Sequence, residues 1–132
     1  MPAVPDDRPR VRVVVLGSTG SVGRQTLDVL GRDPRFDVVG LAAGRNATLF
    51  EEQLNQFRPS VAVVADDDVR NALGSVPAGT TLESGQAALE ALASRPDIDL
   101  LIVGTGGMVS LRPVIAALRA GTPVASVANV TL

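Results

Sequence analysis

Residues 16–30 read LGSTGSVGRQTLDVL, with glycines at 17, 20 and 23. Upstream, VRVVVLG (11–17) is short, rich in valine and almost continuously apolar, the pattern of a strand covered on both faces. Downstream, residues 21–30 carry helical periodicity. At a first strand-to-helix turn this glycine spacing acquires physical meaning. Gly17 would allow a tight turn, Gly20 would let the backbone approach a pyrophosphate, and Gly23 would let the helix pack close to the sheet. Free N–H groups at the helix start, together with the helix dipole, then favour an anion. The spacing G-x-x-G-x-x-G departs from the commonest dinucleotide form, so a turn chosen only for backbone freedom stays open as the plainer reading. A P-loop does not, because it needs a lysine and the chain has none.

Outward from this turn the same alternation continues. FDVVGLAA (36–43), SVAVVA (60–65), DLLIVG (99–104) and PVASVA (123–128) read as further buried parallel strands, and TTLES (80–84) as a short additional one. Helices are expected over 48–57, 67–73, 86–93 and 111–120. Thr48 and Glu51 have capping-box spacing, and Leu49, Phe50, Leu54 and Phe57 give that helix an apolar side before Pro59 stops it. Gly121 and Pro123 end the last helix. Repeated strand–helix–strand units with short connections predict an α/β fold with a doubly wound, mostly parallel sheet, Rossmann-like in type. No repeat or low-complexity linker divides the chain. Residues 1–10, rich in proline and acids, are expected to be a disordered tail, and 11–132 one nucleotide-binding domain.

The end of the second strand bears on which dinucleotide would bind. NAD-binding domains usually carry an acidic residue about twenty positions beyond the loop, for the ribose 2′-hydroxyl. Here that strand ends in AAGRN, with Arg45 and no carboxylate. A guanidinium offers a fork of donors suited to a 2′-phosphate, and Asn46 and Thr48 offer neutral hydrogen bonds. The pattern leans toward NADP(H), against the alternative of a solvated loop arginine. A second glycine cluster, GTGGMVS (104–110), either lines the cleft beyond the strand ends or forms only a tight turn. Asn129 falls at the tip of the last strand, on the cleft side.

Composition narrows the chemistry. The 132 residues are 45% hydrophobic and 20% charged, enough for one domain with a real core. The net charge is −2 and the twelve basic residues, all arginine, are scattered, so no nucleic-acid partner is expected. No apolar run approaches the roughly 18 residues that span a bilayer, and the start lacks a signal-peptide core, so a cytoplasmic protein without a membrane partner is expected. Histidine, cysteine, tyrosine and lysine are all absent. General acid–base work could fall only to carboxylates, and a histidine or cysteine metal site is excluded. Asp66, Asp67 and Asp68 read as a solvated helix start whose acids favour the N-terminal dipole, not as a magnesium site. No catalytic residue and no metal ligand is assigned.

Taken together, VLGSTGSVGRQTLDVL, VVGLAAGRN, LIVGTGGMVSLRPVIAALRAG and VANVTL resemble the N-terminal NADPH-binding domain of the 1-deoxy-D-xylulose 5-phosphate reductoisomerases. The resemblance covers nearly all of the chain after the first ten residues. It implies NADPH as cofactor, with Thr19, Gly20, Ser21 and Val22 at the pyrophosphate and Gly44, Arg45 and Asn46 on the 2′-phosphate side. The family often has lysine where Arg45 stands, which preserves the charge. Asn129 matches the asparagine of the family's A-N-K-E motif, which also contacts the cofactor. After it the family has lysine and glutamate, whereas this chain reads Val130, Thr131 and Leu132.

The family's reaction rearranges and reduces 1-deoxy-D-xylulose 5-phosphate to 2-C-methyl-D-erythritol 4-phosphate, in non-mevalonate isoprenoid synthesis. Its further chain supplies the ligands of a divalent metal, Mg or Mn, the substrate phosphate site and a lid, and the full-length enzymes are homodimers. The expectation is therefore a cofactor domain that meets the substrate only with those further parts and is inactive without them. Two alternatives stand beside it: the cofactor domain of another NADP-dependent reductase, and a non-catalytic nucleotide-binding remnant.

Overall fold

In the computed structural model the described residues are 10–104 and 111–126. The expected N-terminal tail (apart from Arg10), most of the second glycine cluster and Asn129 lie outside them. Along the described residues run β1 (Val11–Leu16), α1 (Ser21–Gly31), β2 (Phe36–Ala42), α2 (Ala47–Phe57), β3 (Val61–Val64), α3 (Asp67–Ala72), β4 (Thr81–Ser84), α4 (Gln86–Ala93), β5 (Leu100–Val103), α5 (Leu111–Arg119) and β6 (Val124–Ser126). The strands form one sheet in the order β4-β3-β2-β1-β5-β6, and each neighbouring pair is parallel. The doubly wound α/β fold expected from the alternation is present, with the short strand at 81–84 as one edge.

Strand pleating divides the core in two, because successive side chains of a strand point to opposite faces. Val13 and Val15 of β1 pack with Leu27 and Leu30 of α1, Phe50 and Leu54 of α2 and Val69 of α3. Val14 and Leu16 pack with Leu92 and Ala93 of α4 and Ala117 of α5. The four residues 13–16 are all buried, which is why this strand reads as an unbroken apolar run rather than an alternating one. A bulge at Val39 shifts the β1–β2 register between Val13/Val38 and Val14/Gly40.

Helix ends follow local chemistry, with one correction. The helix expected from Thr48 instead begins at Ala47, and its cap is Asn46, whose Oδ1 accepts from the Leu49 N–H at 3.2 Å. The Thr48/Glu51 capping box is not formed. The Glu51 carboxylate reaches the Gly74 N–H (2.9 Å) and the Ser75 hydroxyl (3.1 Å) instead. Asparagine is the better cap, and one placed two residues earlier leaves Thr48 inside the first turn. The helix stops as expected before Pro59, through Arg58 in the left-handed conformation (φ 48°). Gly121 (φ 82°) ends α5, with its N–H bonded to Leu118 and that of Thr122 to Ala117.

Candidate functional site: the carboxyl end of the sheet

In a parallel sheet all the loops that leave the strands at their carboxyl ends lie along one edge. That edge here carries the turns after β1, β2, β3 and β5. The chain winds from β1 outward through β2, β3 and β4, then returns to place β5 on the other side of β1. The strand order therefore reverses between β1 and β5, and a crevice opens at such a reversal because the two flanking turns leave in opposite directions.

The turn after β1 borders that crevice. Gly17 has φ 77°, a conformation that suits glycine. The Gly17 and Ser18 N–H groups both donate to the Ala42 carbonyl at the end of β2 (2.8 and 3.0 Å), and the Gly20 N–H donates to the Gly17 carbonyl (3.2 Å). Helix α1 follows at once, with Gly20 as its cap residue and no side-chain cap. Its first intrahelical bond runs from Arg24 N–H to the Gly20 carbonyl. The N–H groups of Ser21, Val22 and Gly23 thus have no partner within the helix and give its start a partial positive charge.

The three glycines have separable reasons. A Cβ on Gly23 would lie 2.1 Å from the Gly17 carbonyl oxygen and 2.8 Å from Ser18 Cα, so any side chain there collides with backbone. A Cβ on Gly104, just beyond β5, would lie 3.1 Å from Gly23 Cα and N. The start of α1 and the end of β5 meet at two glycines, so close backbone approach, the third role expected of the loop, accounts for both. Gly20 differs: its Cβ would make ordinary contacts, 3.5 Å from the Gly17 oxygen and 3.7 Å from the Gly104 oxygen. Packing does not demand glycine at position 20, and its exposed position leaves the backbone open to a ligand.

The turn after β2 carries the second group of expected residues. Gly44, Arg45 and Asn46 are exposed, and a Cβ on Gly44 would meet nothing within 4 Å. Asn46 is spoken for as the cap of α2. The Arg45 guanidinium lies on Asp66, Nη2 to Oδ2 at 2.5 Å, which ties the turn after β2 to the turn after β3. Asp66 also caps α3, its Oδ1 accepting from the Val69 N–H at 3.1 Å, with Asp67 and Asp68 in the first turn. The acidic triplet is the helix start expected of it. The Val69 N–H first, and then Arg45, hold the Asp66 carboxyl below its ordinary pKa, so the ion pair is intact at neutral pH.

Residues on one edge of the sheet thus include Thr19, Gly20, Ser21, Val22, Gly44, Arg45 and Asn46. The Val22 side chain is buried, so that residue offers the edge only its N–H. Reading by residue type passed over Asp66 as the partner of Arg45 and missed Gln53 altogether. Gln53 is 6% exposed, and its Nε2 donates to the Ser18 carbonyl at 2.8 Å. A signal was available: Gln53 sits in the apolar stripe of α2 with Phe50, Leu54 and Phe57, where a polar residue needs a reason. Among the described residues there is no group of three or more acidic side chains able to hold a metal ion, and no helix long and apolar enough to cross a membrane.

Fold and edge together define a doubly wound α/β domain of the Rossmann-like class, with its glycine loop at the reversal of strand order. Comparison with known proteins narrows the class. The family model for 1-deoxy-D-xylulose 5-phosphate reductoisomerase matches residues 13–130, and the chain belongs to that family. The reductoisomerase of Anaeromyxobacter sp. (strain K) is 50% identical over 115 residues, which are 86% of this chain and 30% of that one. The enzyme of Pelotomaculum thermopropionicum is 45% identical over 125 residues, 91% of this chain and 32% of that one. Among solved structures, the Zymomonas mobilis reductoisomerase in complex with NADPH superposes with a TM-score of 0.77 at 32% identity, over 90% of this chain and 32% of its own. A reductoisomerase in complex with NADPH, fosmidomycin and magnesium superposes at 0.76 over 86% of this chain and 29% of its own; at 23% identity it shows the fold alone. The chain spans about a third of the length of the relatives it matches.

Proposed function

We propose that this chain is the NADPH-binding part of a 1-deoxy-D-xylulose 5-phosphate reductoisomerase. The observation that carries the reading is the start of α1, whose first N–H groups have no partner among the described residues, set behind an open Gly20 at the reversal of strand order. The family membership and the NADPH held by the Zymomonas relative support it.

The backbone N–H groups of Thr19, Ser21 and Val22 would receive the pyrophosphate, where the helix dipole adds to their attraction. Gly20 keeps that approach clear of a side chain. Gly44, Arg45 and Asn46 would border the 2′-phosphate. Arg45 gives one donor to Asp66 and retains the others of its fork, so Asp66 holds the guanidinium in place without exhausting it. Asn129 completes the proposed set. NADPH, when bound, supplies a hydride. The receiving substrate and the divalent metal of the family's reaction belong, in this reading, to the two thirds of the relatives' length that the chain does not span. The chain alone would then bind cofactor without turnover, since acceleration requires groups that converge on the reacting atoms. Cytoplasmic location and homodimeric assembly are carried to the complete enzyme by the same family reading.

Calorimetric titration with NADPH and, separately, NADH tests the proposal. NADPH should bind at least about tenfold more tightly, a difference near 1.4 kcal/mol. Arg45→Ala should remove that preference while leaving NADH binding as it was. A folded protein that binds neither cofactor would refute the reading.

A further inference from the structure

The carbonyls of Gly17, Ser18 and Gly20 all accept hydrogen bonds within the chain, from Gly20 N–H, Gln53 Nε2 and Arg24 N–H respectively. Of the three, only that of Ser18 depends on a side chain. Its donor stands on another helix, thirty-five residues along the sequence. We propose that Gln53 is a positioning residue for cofactor binding: it latches the Ser18–Thr19 peptide so that the loop presents an N–H, and not a carbonyl, to the pyrophosphate. This rests on the NADPH reading above and assigns one of its determinants.

The geometry of a peptide unit makes the argument. The described residues contain no cis peptide, and in a trans unit the carbonyl oxygen of one residue and the N–H of the next point in opposite directions. With the Ser18 oxygen drawn inward to Gln53 on α2, the Thr19 N–H must face away from α2. That N–H has no partner among the described residues, and it adjoins the exposed Gly20 and Ser21. A flip of this single unit would turn a partially negative oxygen to where the phosphate approaches. The latch holds the sign of the field the loop presents.

The cost of keeping Gln53 points the same way. Among the described residues its buried Oε1 has no hydrogen-bond partner, and neither has the buried Ser18 hydroxyl. A half-satisfied amide is a poor residue for an apolar stripe, since an unpaired buried acceptor is unfavourable. Methionine or leucine would pack beside Phe50 and Leu54 without that penalty. What either would lose is the bond to the loop.

The test compares wild type with Gln53→Met, which keeps the length of the side chain and removes its donor. In the ligand-free variant, amide resonances of residues 18–20 should split or broaden as a second loop conformer appears, while those of residues 13–15 in β1 stay unchanged. NADPH affinity should fall about tenfold or more. Affinity for adenosine 2′-monophosphate, which has the 2′-phosphate but no pyrophosphate, should hardly change. Single, unshifted loop resonances with unaltered NADPH affinity would overturn the proposal, as would equal weakening of both ligands, the mark of a general disturbance of α2. If the wild type binds no NADPH, the parent reading fails, and the loop resonances still decide whether Gln53 latches the peptide. Should Gln53→Met not fold, the wild type carries the test. The Gln53 side-chain amide protons should exchange slowly and show coupling to the Ser18 carbonyl carbon across the hydrogen bond; rapid exchange without coupling overturns the latch.

Discussion

The two turns that would hold the ends of the adenosine diphosphate moiety are built on opposite principles. The turn after β1 is a backbone device. Ser18 is fully buried, Gly23 admits no Cβ, and the Gly17, Ser18 and Gly20 carbonyls are all bonded, to main chain or to Gln53. The turn after β2 is a side-chain device. Gly44 has open space around it, and the Arg45 side chain is 71% exposed and steered by one carboxylate. A pyrophosphate can be read by N–H groups that any sequence possesses, provided the backbone comes close enough. Discriminating a 2′-phosphate from a hydroxyl needs a charge, and only a side chain brings one. The first turn is thus bound up with the fold, and the second is free to vary without unfolding the domain.

Substitutions can break this contrast. Gly23→Ala should have the largest effect, because its methyl group would lie 2.1–2.9 Å from the Gly17–Ser18 backbone. A loss of about 3 kcal/mol or more is expected in urea denaturation, and a variant as stable as wild type would show that the loop is not so tightly fitted as its geometry requires. Gly20→Ala separates fold from binding within the same loop. Stability should change by less than about 1 kcal/mol, while NADPH affinity falls about tenfold or more because the new methyl group would stand where the proposed reading brings the pyrophosphate. Retained affinity would place the pyrophosphate elsewhere.

The pH dependence of binding offers a finer probe. Asp66 has its folded pKa depressed below 3.8, so its contribution to stability is present above that ordinary value and is lost as pH falls through the lower folded one. Between pH 5 and 8 it stays ionised. With no histidine in the chain, the groups expected to titrate in that window are the amino terminus and the ligand's own 2′-phosphate, near pH 6. NADPH affinity should weaken as pH drops from 8 to 5, and NADH affinity should stay level. A parallel fall for both cofactors would mean that the protein, not the phosphate, is titrating. Gly44→Ala should have the smallest effect: a gain of about 0.5 kcal/mol from a stiffer unfolded chain, with no clash to offset it. A marked loss would show that the turn after β2 is more constrained than its open surroundings indicate.

Most of the fold was legible from local pattern. Valine-rich runs and amphipathic helices alternate so regularly that a parallel, doubly wound sheet follows from the right-handedness of crossovers, while the strand order itself came only with the folded structure. The resemblance of the motifs carried the family. Helix starts were legible only in part: for α2 both Asn46 and Thr48 are capping residues, and spacing alone favoured the one that the chain does not use.

By itself, then, the sequence determined what is local or periodic: the doubly wound sheet, the glycine loop at the head of α1, and a positive charge at the end of β2. Tertiary structure alone decided which distant groups meet. It paired Arg45 with Asp66 across two strands, set Gly104 against Gly23, and brought Gln53 to Ser18 from thirty-five residues away. Periodicity records which face of an element is buried. It carries no record of what a buried polar group touches, because that partner is supplied by another element whose position exists only once the chain has folded.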